Sequence, residues 1–97
     1  MNLNILQVQQ QKIAEVIANG IVIKDIPDAL DIIANAGYHE AIGVMLQETH
    51  LLPDFYDLRT GIAGEIMQKC ANYHIKLAIV GALIMTLSTY GWVYEEA

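Results

Sequence analysis

Positive charge is scarce in this chain. Of 97 residues only five are lysine or arginine, against eleven aspartates and glutamates, which leaves a formal charge of −6. The five, Lys12, Lys24, Arg59, Lys69 and Lys76, are scattered and no two adjoin. Phosphate contacts need a clustered basic face, so nucleic acid is excluded as a partner. Cysteine is nearly absent too. The single Cys70 can form no internal disulfide, which agrees with a reducing compartment, and its place in an apolar helical row reads as a buried, inert thiol. The longest apolar stretch, residues 77–87, is broken by Gly81 and Thr86 and falls well short of the ~20 residues a membrane-spanning helix needs. No basic segment precedes an apolar run at the N-terminus, so no signal peptide is read and the expected location is cytoplasmic. Repeats, Pro-rich linkers and low-complexity segments are missing as well.

What the chain has in quantity is apolar surface. Hydrophobic residues make up 55 % of it and charged ones 16 %, where an average soluble domain has about 25 % charged. A chain of this length forms one domain, here 1–97, with one core. That core does not readily absorb so many apolar side chains, so a partner chain is expected to bury some of them.

Alternation of apolar and polar residues places strands at 3–8 and 12–18, with the glutamines at 9–11 as the turn between them. After Asn19-Gly20, residues 21–23 fit either a third short strand or an extended crossover. A helix follows, with Asp25 as N-cap accepting from the Asp28 N–H, Pro27 in the first turn, Ile26, Ala29, Leu30, Ile33 and Ala34 on one face, and Gly37 as its stop. Residues 41–47 carry almost no charge, as expected of a strand buried on both faces. A second helix is expected from about Phe55 or Asp57 to Asn72, with Phe55, Leu58, Ile62, Ile66 and Cys70 in steps of three or four. Residues 75–80 make another strand, and 82–97 fit strand or helix. The pattern predicts an α/β single domain with a mixed sheet of four or five strands, two principal helices and a right-handed parallel crossover.

The run LLPDFYDLRTGIAGEIMQKCANYHIKLAIVG, with KIAEVIANGIVIKDIPDALDIIANA before it, resembles a small bacterial family known only as a domain of unknown function. PDFYDLRTGIAGEI is the specific part. The layout is also similar to a STAS domain, the fold of anti-sigma-factor antagonists. By that resemblance Thr60 stands where those antagonists offer a hydroxyl for phosphorylation and Asp57 stands for the motif's Asp, with one extra residue between them. The tail ALIMTLSTYGWVYEEA departs from the relatives, which continue with a further helix.

Glu48, His50, Asp54, Asp57, Arg59 and Thr60 gather after a central strand and before a helix, where open α/β sheets place ligands. Each also has a plain structural reading: Asp54 or Asp57 caps the helix, Glu48 and His50 are solvated, and Arg59 pairs with a carboxylate. The spacing of Glu48, His50 and Asp54 fits no metal-ligand motif, and no serine or cysteine nucleophile stands near His50, so no metal and no cofactor are expected. Thr60-Gly61-Ile62-Ala63-Gly64 has too few glycines for a phosphate loop. A phosphate on Thr60 would gain from the helix dipole and Arg59 and be repelled by Asp57. His39 and His74 read as solvated turn residues. Aromatic and aliphatic residues crowd late in the chain, so Ile84, Met85, Leu87, Tyr90, Trp92 and Val93 are candidates either for an interface between copies or for closing the chain's own core. The expectation is a non-enzymatic regulatory or protein-interaction domain that self-associates and takes a further protein partner, with no membrane role. The alternative is a small enzyme or ligand-binding protein using residues 48–60.

Overall fold

The computed structural model describes residues 1–81, 83–88 and 91–96. Strands β1 (Asn2–Val8) and β2 (Gln11–Ile17) pair antiparallel from Asn2↔Ile17 to Val8↔Gln11. Their turn is Gln9-Gln10 alone, one residue shorter than expected, and Gln9 takes the positive φ of 58° that so tight a hairpin demands. Residues 21–23 form the extended crossover and not a strand, with a single parallel bridge from Ile23 to Leu51.

Helix α1 (Ile26–Tyr38) starts as its sequence dictates. Asp25 Oδ1 accepts the Asp28 N–H at 3.0 Å, and Asp28 Oδ2 accepts the Lys24 N–H at 3.0 Å. Its buried stripe is Ala29, Ile32, Ile33 and Ala36, so the face is turned relative to the expected row, leaving Leu30 half-buried and Ala34 exposed. Gly37 is not the stop. It lies inside the last turn, and the left-handed residue is Glu40 at φ 63°, after which the Ala41 N–H returns to the Ala36 carbonyl at 2.9 Å.

Strand β3 (Gly43–Gln47) leads into three short 3-10 turns, Glu48–His50, Pro53–Tyr56 and Leu58–Thr60. Helix α2 (Ile62–Asn72) therefore begins later than Phe55 or Asp57, and neither Asp54 nor Asp57 caps it. Its N-cap is Gly61, whose φ of 78° breaks any right-handed run reaching back toward Phe55. The far end repeats the end of α1: His74 is left-handed at φ 55°, and the Ile75 N–H bonds the Cys70 carbonyl at 2.9 Å. Strands β4 (Lys76–Val80), β5 (Leu83–Ser88) and β6 (Gly91–Glu96) follow, so the undecided tail is a pair of strands.

The sheet runs β1-β2-β3-β4-β5-β6, parallel in the middle (β2 with β3, β3 with β4) and antiparallel outside. The first four strands are the mixed sheet expected from the sequence, and the tail adds two. Both helices lie on one face, packed against each other. Alternate strand residues Ala14, Val16, Val44, Leu46, Leu77 and Ile79 meet Ile33, Ile66 and Phe55 there. β3 is thus buried against helices on one side only, where the sequence suggested two. Fully burying a Leu, Ile or Phe side chain contributes roughly 1.5–3 kcal/mol. Phe55 is one of these, so residues 53–56 are pinned to the core from a turn and not from a helix.

Candidate functional site

The carboxyl ends of β3 and β4 are bridged by residues 48–60, and the structure shows what each polar candidate there is bonded to. His50, read from the sequence as solvated, is 2 % exposed. Its Nδ1 accepts the Gln47 N–H at 3.0 Å, and its Nε2 lies 2.9 Å from the Ala18 carbonyl. An amide N–H can only donate and a carbonyl can only accept, so the ring is neutral with its proton on Nε2. Its backbone carbonyl accepts from Val22 and Ile23 at 2.8 and 3.0 Å. One residue thereby ties the exit of β2 to the exit of β3.

Glu48 lies against Gly81 at the end of β4; a Cβ on Gly81 would run into the carboxylate. The Tyr56 hydroxyl donates to the Glu48 carbonyl at 2.8 Å. Burial, and then the negative Glu48, push the Tyr56 phenol up to about 12. Asp57 Oδ1 accepts the Arg59 N–H and Nε, each at 3.0 Å, and Oδ2 accepts Nη2 at 2.9 Å. The Arg59 side chain, followed by its backbone N–H, holds the Asp57 carboxyl below its usual range. With the Arg59 side chain 91 % exposed, this fork is solvated and adds little to stability.

Thr60 is exposed, yet its hydroxyl is committed to the turn. Oγ1 lies 2.8 Å from the Asp57 carbonyl and 3.0 Å from that of Asp54, sharing its one proton between them, and accepts the Ile62 N–H at 3.3 Å. Asp54 contributes its backbone carbonyl to this closure, and its side chain has no polar partner among the described residues. The structure thus brings Asp54, Asp57, Arg59 and Thr60 into one turn, and sets Glu48, His50 and Tyr56 in a separate group nearer the strand ends. Among the described residues no three His, Cys, Asp or Glu side chains group as a metal site. Burial pushes the Cys70 thiol up to about 11, away from the reactive thiolate.

A second feature lies on the helix-free face of the sheet, and the sequence reading missed it. Leu6, Val8, Ile13 and Met45 border an apolar groove of about 440 Å³, with Gly43 at its floor and Lys76 at its rim. Val8 and Ile17 stand exposed on the same face. Its signal was β2 itself: Ile13 and Ile17 are apolar while their neighbours Ala14 and Val16 already fill the core, so the strand is apolar on both sides. Of the interface candidates, Tyr90 lies outside the described residues. Ile84, Met85, Leu87, Trp92 and Val93 fall on β5 and β6, and their side chains lie outside what is described. Among the described residues no helix is long and apolar enough to cross a membrane.

The family described as a domain of unknown function, DUF4180, matches residues 8–91. No curated protein and no solved structure matches the chain significantly.

Proposed function

The chain belongs to the DUF4180 family, and we propose that it acts as a non-enzymatic protein-interaction domain that associates with itself and with a further protein, in a bacterial cytoplasm. The carrying observation is a contrast between two surfaces. At the strand ends the polar groups of His50, Tyr56, Asp57, Arg59 and Thr60 hold the chain's own turns. On the helix-free face apolar side chains gather around an open groove. A hydroxyl or imidazole already saturated by backbone groups is poorly placed to attack or deprotonate a substrate, whereas exposed apolar area favours association.

A STAS-like layout is part of this proposal. The hairpin, the two parallel β-α-β steps and the loop before α2 support it. A regulatory role for Thr60 fits the same loop. Phosphorylation would remove the proton that Oγ1 donates to the Asp57 carbonyl and would place a dianion between Asp57 and Arg59. The contact between copies is proposed to include the late segment that holds Ile84, Met85, Leu87, Tyr90, Trp92 and Val93, because β5 and β6 extend the sheet whose open face is apolar. Light scattering at micromolar concentration tests the reading. A mass of two or more chains is expected, and the mass of one chain overturns it.

A further inference from the structure

We infer that two copies of this chain pack sheet against sheet through the helix-free face, about an axis along β3, with Glu15 of each copy paired with Lys76 of the other. This rests on the self-association proposed above and commits it to one surface.

The argument begins with charge. The chain as a whole carries −6, so copies repel one another over most of their surface. The helix-free face is the exception. Period-two alternation places one acid, Glu15, and one base, Lys76, on it among the described residues of β1–β4, since their neighbours Ala14, Val16 and Leu77 point into the core. The remaining residues that β1–β4 place on it are neutral, and they include Leu6, Val8, Ile13, Ile17 and Met45. Lys76 has no ion pair among the described residues, and Glu15 has only the Asn4 amide, at 3.3 Å.

The two charges also stand in self-complementary places. Glu15 is on β2 and Lys76 on β4, either side of β3: Glu15 aligns with Met45, and Lys76 aligns with Gly43 two residues away along the same strand. A two-fold axis along β3 lays β2 of one copy over β4 of the other and produces the Glu15–Lys76 contact twice, as a symmetric interface requires. The two-residue offset, about 7 Å along a strand, is within reach of the flexible lysine stem. Facing sheets pack about 10 Å apart with interdigitating side chains, which closes the groove over Gly43.

Charge reversal tests this. Glu15→Lys and Lys76→Glu each set like charges face to face, and each is expected to raise the dimer dissociation constant about tenfold or more. The double variant restores the opposite pairing and brings it back close to the starting value. Both positions lie off the core, so the circular dichroism spectrum should match that of the parent chain. If the parent dimerises and neither single variant weakens it, the interface is elsewhere, and this inference falls while self-association stands. Weakening in both singles without recovery in the double overturns the pairing. A parent chain that stays monomeric overturns self-association itself. If such a monomer binds the apolar dye anilinonaphthalene sulfonate in a manner lost in Met45→Glu, the groove belongs to a small apolar ligand instead.

Discussion

His50 has no bonding capacity to spare. With one ring nitrogen accepting from Gln47 and the other donating to Ala18, a side chain that cannot do both takes a partner from the Gln47 amide, the Ala18 carbonyl or both. Each lost hydrogen bond costs about 0.5–1.5 kcal/mol, and removing the buried ring leaves its packing unfilled, so His50→Ala is expected to lose roughly 2–4 kcal/mol of stability, read as a lowered urea midpoint. A lone histidine between Thr49 and Leu51 carries no sequence mark of this role, because both of its ring partners are backbone groups. Tyr56 makes a pH-dependent contribution. Its phenol ionises at about 12 in the folded chain, above the ordinary value of 10 that the unfolded chain retains. The unfolded state therefore gives up its proton first as pH rises. Stability from this residue is whole below pH 10 and is lost between 10 and 12. Tyr56→Phe is expected to flatten that part of the stability curve, measured by urea melts across the range.

The two helices show where local signals suffice and where they do not. Asp25, Pro27 and Asp28 announce the start of α1 because capping is a matter of adjacent residues, and the start stands where they place it. The start of α2 was misread. Phe55 and Leu58 continue the spacing of Ile62, Ile66 and Cys70, but spacing alone does not reveal that Gly61 turns left-handed between them. The end of α2 stands at Asn72, as the spacing placed it, but the left-handed residues that close both helices carried no mark, since Glu40 and His74 occupy a conformation that usually selects glycine. Holding a residue with a side chain there costs roughly 1 kcal/mol. Glu40→Gly and His74→Gly are each expected to stabilise the chain by about 0.5–1 kcal/mol, seen as a raised urea midpoint. Glu40 gives up only a solvated 3.9 Å contact with Lys12.

At the scale of the whole molecule, alternating strand and helix patterns made the parallel centre of the sheet legible, because two parallel neighbours need a crossover between them. The bare face was not legible, since composition reports an excess of apolar residues without saying on which side of the sheet they stand. The strand order has a further consequence, for how the chain is made. Each strand lies beside its predecessor in sequence, so none is inserted between two already formed. The longest closures between neighbours run from Ile13 to Gly43 and from Gly43 to Lys76, each spanned by one helix. A chain wired this way can be laid down in the order of its synthesis, the hairpin first and each later strand added to the growing edge. Growth of this kind proceeds from one edge only, and β1 stays at the opposite edge throughout.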